Sequence, residues 1–373
     1  MAGVTYKCTN CGGPVSFEPE LQKWRCAFCK SQYTEKDLLP KAQAYAQEAA
    51  QEAAQSTDDS LQDAASGSQA GTGEASGEAD QGEQVAYHCP SCGSQVMTEA
   101  TTVATHCYYC HNPVVLQGKL TPDMTPDSVL PFSINKDSAV ESFLKWVKTK
   151  RFIPKDFFSK QEIRNMSGVY YPHFVTECDM DASYSGEGQN ISTMDTPKYI
   201  ITKTDYYAFR RRANLSFRNV MRPALSSLDR KLSDGIHPFP LEEVKPFSSA
   251  YLSGFLAERR NVDKEEIAGD VQRELEGYVR PLLSSTVNYH SSSGTASGKI
   301  TRQKTQYVLL PTWVLTYTRR SGDDKKPYYY VMNGRTGEVC GKLPINKGKL
   351  FLTSALIAAA LFGVLCVASY FLF

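Results

Sequence analysis

The chain has 373 residues, with 41 Lys+Arg against 40 Asp+Glu, and this length allows more than one domain of roughly 100–200 residues. The near-zero total hides two opposite regions: residues 1–120 carry 7 basic and 14 acidic side chains, whereas residues 121–349 carry 34 basic and 26 acidic ones. The first thirty residues contain Lys7, Lys23 and Arg25 and no apolar run. This argues against a secreted, disulfide-stabilised protein and predicts a reducing compartment for the 11 cysteines.

Eight of the cysteines form an internal repeat. Two CxxC pairs separated by 14 residues occur twice, and every cysteine of the second set is displaced by 81 positions from the first. Two CxxC turns supply four soft thiolate ligands, the set that Zn²⁺ takes in closed tetrahedral sites, and Gly12 and Gly93 suit the positive-φ position that follows a CxxC pair. The repeat predicts zinc ribbons at residues 1–40 and 85–120, with two structural Zn²⁺ sites whose ligands are Cys8, Cys11, Cys26 and Cys29, and Cys89, Cys92, Cys107 and Cys110.

Three other interpretations of the cysteines compete with zinc. A redox CxxC would begin a helix in a βαβ unit, which the sequence lacks. Disulfides conflict with a cytosolic location, whereas an iron–sulfur cluster stays open as an alternative for any four-cysteine set. His88, His106 and His111 each lie beside a cysteine of the second site. Because that site already has four thiolates, we expect these histidines to lie outside the ligand set.

Residues 41–84 are predicted to be a flexible linker. The segment is rich in Ala and Gln and then in Gly and Ser, and it holds nine acids and one lysine. A sequence so poor in large apolar residues cannot bury a core. We therefore expect the first ribbon to be free to capture or present a partner.

Residues 121–349 are predicted to form a basic α+β domain with an antiparallel sheet. Two segments have helical apolar spacing: Ala139, Val140, Phe143, Leu144 and Val147, after capping candidates Asn135, Asp137 and Ser138, and Ile267, Val271, Leu275, Val279 and Leu282, after an Asp263-x-x-Glu266 capping box. Residues typical of strands occupy Val169–Tyr184, Tyr199–Phe217, Ser284–His290, Thr305–Thr318 and Tyr328–Met332. A weaker similarity between Tyr170–Val175 and Leu309–Val314 indicates a second duplication.

The last segment, residues 350–373, is predicted to be a transmembrane helix. It is uncharged over 24 residues, which exceeds the ~20 residues that cross a bilayer core of ~30 Å. Lys342, Lys347 and Lys349 precede it, and basic residues stay on the cytosolic side. The sequence therefore predicts a single-pass protein of the cell membrane with its N-terminal bulk in the cytoplasm.

The sequence shows no catalytic motif, and we expect no enzyme. Residues 294–300 have three positions between glycines where a phosphate-binding loop has four, and Ile300 stands where that loop has Ser or Thr. His173 and His237 are interpreted as structural. The densest basic cluster comprises Arg210, Arg211, Arg212, Arg218 and Arg222. It leaves a solvated strand face and a binding surface open, and a nearby membrane favours anionic lipid or an acidic partner protein over nucleic acid as the ligand.

The order of these parts, with Leu130–Ile134 leading into a helix and Gly168–Pro172 opening a strand, resembles a bacterial family. Its members are often labelled TFIIB-type zinc-ribbon or primosomal replication-helicase-like proteins. In some bacteria they are encoded beside a phage-shock-protein-A homologue and a flotillin-like (SPFH) protein, and are implicated in localising that protein at the membrane.

The resemblance implies a tail-anchored membrane adaptor whose partners are membrane lipids and SPFH- or phage-shock-A-type proteins. Only the eight cysteines carry over as site residues. The alternative is a membrane-associated nucleic-acid-binding protein without helicase activity, a reading disfavoured by the scarcity of basic residues in the second ribbon. The oligomeric state stays open.

Overall fold

The computed structural model of the chain describes residues 4–38, 84–89, 91–116, 120, 122–153, 163, 165–318, 327–343 and 345–372. All of the predicted linker except Gln84 lies outside these residues. The first ribbon forms a three-stranded antiparallel sheet of β1 (Val15–Glu18), β2 (Lys23–Cys26) and β3 (Gln32–Tyr33). The second ribbon comprises a two-stranded sheet of β4 (Gln84–His88) and β5 (Gln95–Glu99), followed by β6 (Thr102–His106) and β7 (Pro113–Val115).

The remaining described strands form one ten-stranded sheet, which includes β6 and β7 of the second ribbon. Its other strands are β8 (Ser128–Val129), β9 (Ser167–Asp195), β10 (Ile200–Pro223), β11 (Lys245–Pro246), β12 (Leu256–Glu258), β13 (Ser291–Thr318), β14 (Pro327–Asn333) and β15 (Val339–Gly341). The strand order is β11-β8-β13-β9-β12-β6-β7, with β10 beside β9 and β14 between β13 and β15. Most pairs are antiparallel as predicted, but β12 with β9 and β8 with β13 are parallel.

The longest strands extend beyond the rest of the sheet as an arm, formed by residues 178–217 of β9 and β10 and residues 291–303 of β13. β9, β10 and β13 have 29, 24 and 28 residues, and at about 3.3 Å per residue the longest spans up to about 90 Å. Four of the five predicted strands lie within β9, β10, β13 and β14, but the prediction for Ser284–His290 is wrong. A helix ends at Ser284, and residues 285–290 connect it to β13.

The α-helices whose two ends lie within the described residues are α1 (Lys136–Lys148), α2 (Arg230–Asp234), α3 (Lys264–Ser284) and α4 (Lys347–Leu372). Asn135 caps α1 as predicted, because its side chain accepts a hydrogen bond from the Ser138 amide at 2.8 Å. The predicted capping box of α3 does not form. Asp263 occupies the N-cap position but pairs with Arg260 at 2.5 Å instead.

α3 covers one face of the arm. Alternate residues of β9 from Cys178 to Tyr184 are buried beneath it, as expected from the two-residue period of a strand. The helix buries Ile267, Val271, Leu275 and Val279 as predicted. At its end Leu283 is buried in place of the predicted Leu282.

The two segments whose similarity indicated a second duplication pair with each other. Tyr171 pairs with Leu310 at the centre of an antiparallel register between β9 and β13. On either side, β12 runs parallel to Val169–Tyr170 and β8 runs parallel to Val308–Leu309. The segments β8-α1-β9-β10 and β12-α3-β13-β14 therefore share one order of elements and pair in a symmetric register, as expected for a duplication.

The first ribbon is docked on the α+β domain, which corrects the expectation of a free module. The Trp24 ring Nε1 donates to the Ala250 carbonyl at 2.8 Å, and the Trp24 ring lies 5.0 Å from that of Tyr251. Gly254, at φ 97°, lets the backbone pass Ser16, because a side chain there would lie 2.8 Å from the Ser16 Cβ. The buried apolar residues of the ribbon belong to the main hydrophobic core.

We expect Trp24→Ala to lower the free energy of unfolding of the whole region that precedes α4 by about 3–5 kcal/mol, the usual cost of truncating a buried aromatic residue. Phe28→Ala, in the same ribbon but 71% exposed, should change it by less than about 0.5 kcal/mol. Denaturant unfolding of the detergent-solubilised chain, followed by circular dichroism, measures both. If the ribbon were independent, Trp24→Ala would leave the main unfolding transition unchanged.

Candidate metal centres

Each cysteine pair lies in a tight backbone turn. The Gly12 amide donates to the Cys8 carbonyl at 2.9 Å, and the Gly93 amide donates to that of Cys89 at 2.8 Å. Both glycines have the predicted positive φ, of 72° and 75°. The second turns place Lys30 and His111 in the same conformation, at φ 61° and 58°. The sequence did not indicate this, because residues other than glycine adopt that region only uncommonly.

The eight predicted ligands form two clusters of four. In each cluster all four sulfur atoms lie within 4.8 Å of one another. The closest cross-pair distances are 3.4 and 3.5 Å in the first ribbon and 3.7 Å for both pairs in the second. Thiolates at about 2.3 Å from a tetrahedral metal ion lie about 3.8 Å apart, whereas disulfide sulfurs lie about 2.05 Å apart. The clusters thus fit two structural metal sites.

The surroundings of the sulfur atoms favour thiolates at some positions. The Tyr33 hydroxyl lies 2.9 Å from Cys8 Sγ and lowers the pKa of that thiol to about 6. Ser94 likewise lowers the pKa of Cys92 to about 6. Burial instead raises the pKa of Cys110 to about 12. A metal cation would keep all four thiols of a cluster ionised. Because the protein supplies four ligands, such a site has no position left for a substrate.

Large aromatic side chains project at the second CxxC turn of each ribbon. Phe28 and Tyr109 occupy equivalent positions of the repeat, and Tyr108 lies beside Tyr109. They are 71%, 68% and 67% exposed, respectively. Both copies of the module therefore present an aromatic ring to solvent beside the metal cluster.

The histidines beside the second cluster lie at a cleft where both ribbons meet the α+β domain. His106 and His111 line this cleft of about 480 Å³ together with Glu18, Lys136 and Trp313. Burial, with nearby His111 and Lys136, lowers the pKa of His106. As predicted, none of the three histidines beside the cluster is among the residues grouped around the metal position.

The predicted basic cluster is dispersed among acidic residues. Arg218 pairs with Asp179 at 3.0 Å, and Arg302 approaches the same carboxylate at 3.9 Å. Arg222 is buried and pairs with Glu274. On the face of the arm that α3 does not cover, the acidic side chains of β9 lie between basic side chains of β10 on one side and of β13 on the other. This face therefore lacks the continuous positive surface of nucleic-acid-binding proteins.

Residues 294–300, which have a partial likeness to a phosphate-binding loop, lie within the β-strand β13. Gly294 pairs with Gly186 and Gly298 pairs with Ala182 in β13. A side chain at Gly294 would lie 2.6 Å from the Ser185 carbonyl oxygen. These glycines thus serve close strand packing.

His173 is buried, in line with the structural interpretation. Its Nε2 lies 2.9 Å from Ser233 Oγ, and its Nδ1 lies 3.2 Å from the Tyr171 carbonyl oxygen. Burial lowers the pKa of His173 to about 4. The imidazole is therefore neutral at physiological pH and serves as a hydrogen-bonding group of the core.

α4 is long and apolar enough to cross a membrane. The stretch Lys347–Cys366 has a mean hydropathy of 2.1, and none of it is buried against the rest of the protein. A helix apolar on all sides is otherwise expected only in a protein core.

No protein-family model matches the chain, and no solved structure matches it. The chain is similar to the uncharacterized protein YdjG of Bacillus subtilis (strain 168), with 28% identity over 368 residues, 98% of this chain and 97% of that protein. The similarity thus spans the ribbons, the sheet and the C-terminal helix together.

The matched substitutions Cys8→Ser and Cys89→Ser should each remove one of two bound metal ions but differ in structural effect. Cys8 belongs to the main core, whereas Cys89 belongs to a small separate cluster. We expect Cys8→Ser to increase hydrogen exchange throughout the α+β domain, and Cys89→Ser to increase it mainly in β4 and β5. Elemental analysis and hydrogen–deuterium exchange measure the two effects, and an equal spread of exchange in both variants would contradict this division.

We expect His173 to make the protein less stable in acid. Its folded pKa of about 4 lies below the ordinary 6.5, so the unfolded state binds the proton more readily as the pH falls. The contribution of neutral His173 to the free energy of unfolding is complete above pH ~6.5. It is lost progressively towards pH ~4, a total of about 3 kcal/mol.

His173→Gln should flatten this part of the pH dependence, whereas the exposed control His290→Gln should retain it. Denaturant unfolding between pH 7 and pH 4 measures the free energy of unfolding of each variant. Any release of metal in acid affects all variants equally and so cancels in the difference between them. Parallel profiles for wild type and His173→Gln would contradict the assignment.

Proposed function

We propose that the chain is a tail-anchored membrane adaptor, in which two zinc ribbons on a cytosolic α+β domain recruit partner proteins of the SPFH or phage-shock-A type. Zinc suits the clusters because four thiolates in a tetrahedron are its preferred structural site. α4 supplies the anchor. Lys347 and Lys349 at its start favour a cytosolic position for the residues that precede it.

The observation that carries the proposal is the repeated aromatic residue at the ribbon turns. An exposed ring costs solvation, yet both copies have one, at Phe28 and Tyr109. Aromatic residues are enriched where proteins bind one another. The closed metal clusters support a binding role rather than a catalytic one.

The proposal predicts that Phe28→Ala and the double substitution Tyr108→Ala/Tyr109→Ala each weaken binding of a purified SPFH- or phage-shock-A-type protein by about tenfold or more, since aromatic hot spots cost about 2 kcal/mol. Tyr278→Ala is the matched control, because Tyr278 is 50% exposed on α3, far along the chain from both ribbons. Binding to the full chain in nanodiscs is measured by interferometry.

Unchanged binding in both aromatic variants would contradict the role of the ribbon turns. Binding of DNA or RNA to the full chain, with a steep dependence on salt, would instead support the nucleic-acid alternative.

A further inference from the structure

The chain that leads into α4 runs along the C-terminal end of α1. A side chain at Gly341, the last residue of β15, would lie 3.3 Å from the Trp146 ring of α1. Farther along, the Asn346 amide donates to the Phe152 carbonyl at 2.7 Å. Asn346 also caps α4, because its side-chain oxygen accepts a hydrogen bond from the Lys349 amide at 3.0 Å. The start of α4 is therefore fixed to the segment that follows α1.

This end of α1 is strongly basic. Residues 142–153 contain four basic side chains and no acid. All four are exposed, and they are here called the basic patch: Lys145, Lys148, Lys150 and Arg151. The Lys150 ammonium lies 5.1 Å from the centre of the Trp146 ring, which holds it beside the chain that leads to α4. Glu141 pairs with Lys145 at 3.0 Å, but an ion pair exposed on both sides offsets the charge of the patch only weakly.

We infer that the basic patch binds the headgroups of anionic phospholipids in the bilayer that holds α4. The inference rests on the proposed membrane attachment. Asn346 precedes Leu350, the first residue of the uncharged segment, by four residues, about 6 Å along a helix. Lys150 and Arg151 lie within two residues of Phe152, so their Cα atoms lie within about 8 Å of its Cα. Charges so close to an anionic surface are only partly screened at physiological salt, where the Debye length is about 8 Å.

The connection between β15 and α4 adds Lys342, Lys347 and Lys349 to the same surroundings. Lys342 approaches Asp229 at 3.6 Å, whereas Lys347 is exposed in the first turn of α4. With the basic patch these make seven basic residues, the size of juxtamembrane cluster that binds anionic lipid. Long Lys and Arg side chains also extend readily to a headgroup layer. The arginine cluster of β10 suits lipid less well, because acidic residues of β9 and α3 pair with two of its members.

The test places the photo-crosslinking residue p-benzoylphenylalanine in the full chain, in nanodiscs of equal parts phosphatidylcholine and phosphatidylglycerol. Thr149 is replaced to report the basic patch, because this position keeps all four charges. Leu356 in α4 is replaced to report lipid beside the anchor. Mass spectrometry of the adducts gives the ratio of phosphatidylglycerol to phosphatidylcholine at each position. We expect this ratio to be about fivefold or more higher at residue 149 than at residue 356, the factor that one basic residue supplies near an anionic surface.

Tyr278 on α3 is the control position for the protein surface. The neighbouring residue Val279 packs at Gly298, which lies about 55 Å along β13 from Leu315 at about 3.3 Å per residue. Leu315 pairs with Tyr330 of β14, which in turn pairs with β15, the strand that leads to α4. We therefore expect no lipid adduct at residue 278.

The variant Lys148→Gln/Arg151→Gln should lower the ratio at residue 149 several-fold, towards that at residue 356. It leaves the contact of Lys150 with Trp146 in place. The matched control Arg273→Gln/Arg280→Gln removes the same charge from exposed positions of α3 and should keep the enrichment. Salt at about 1 M, where the Debye length is about 3 Å, should remove it.

Equal ratios at residues 149 and 356, equal enrichment at residue 278, or an enrichment that the patch variant leaves unchanged would overturn the inference. So would a crosslink from residue 149 to residues 41–84, which would assign the patch to the acidic segment of the chain itself. Lipid adducts at residue 356 without any at residue 149 overturn the inference but leave the anchor standing. Absence of lipid adducts at residue 356 removes the anchor of the proposed function.

Discussion

The pairing of β9 with β13 sets the arrangement of everything else in the described fold. The two strands stay in register from Gln189 with Ser291 to Ser167 with Val314, with one irregularity between Ile300 and Arg302. Because side chains alternate between the faces of a strand, this register decides which residues meet α3 and which meet solvent. β10 and β12 then add to β9, while β8 and β14 add to β13.

The metal clusters depend on the same register through β12. This short strand joins β9 to β6, and β6 leads into the second CxxC turn of the second ribbon. The residues just before β12 hold the first ribbon, where Ser253 donates to the Val15 carbonyl at 2.5 Å. Val4 and Val115 exchange backbone hydrogen bonds and connect the two ribbons directly. Two ribbons fixed in this way hold their aromatic rings in fixed relative positions, and a partner that touches both loses less conformational freedom than with a mobile module.

The metal clusters were predictable from sequence because a CxxC turn is local, and the repeat removed doubt about which cysteines pair. The helices were predictable from apolar spacing, although Leu282 and Leu283 exchanged roles at the end of α3. Docking of the first ribbon was not predictable from the sequence, since Trp24 and its acceptor Ala250 lie 226 residues apart. Trp24 is also compatible with the core of an independent ribbon. The first half of β13 was not predicted from the sequence, because its Ser, Gly and Thr residues do not alternate with apolar residues as in a typical half-buried strand.

The arm draws on both halves of the symmetric arrangement, because the β9–β10 hairpin belongs to one half, and α3 with the first part of β13 belongs to the other. α3 has 21 residues where α1 has 13, and β9 continues far past its centre at Tyr171, whereas β13 ends soon after Leu310. The extra turns of α3 bury the apolar face of the arm only as far as the start of β13. Beyond that point Met194, Ile200 and Ile201 are 65%, 71% and 52% exposed and add little to the buried core. The turn that closes the hairpin is polar, with Asp195, Thr196 and Lys198, as expected where the end of a sheet meets solvent. The exposed apolar residues therefore lie behind a polar turn and not at the end of the hairpin.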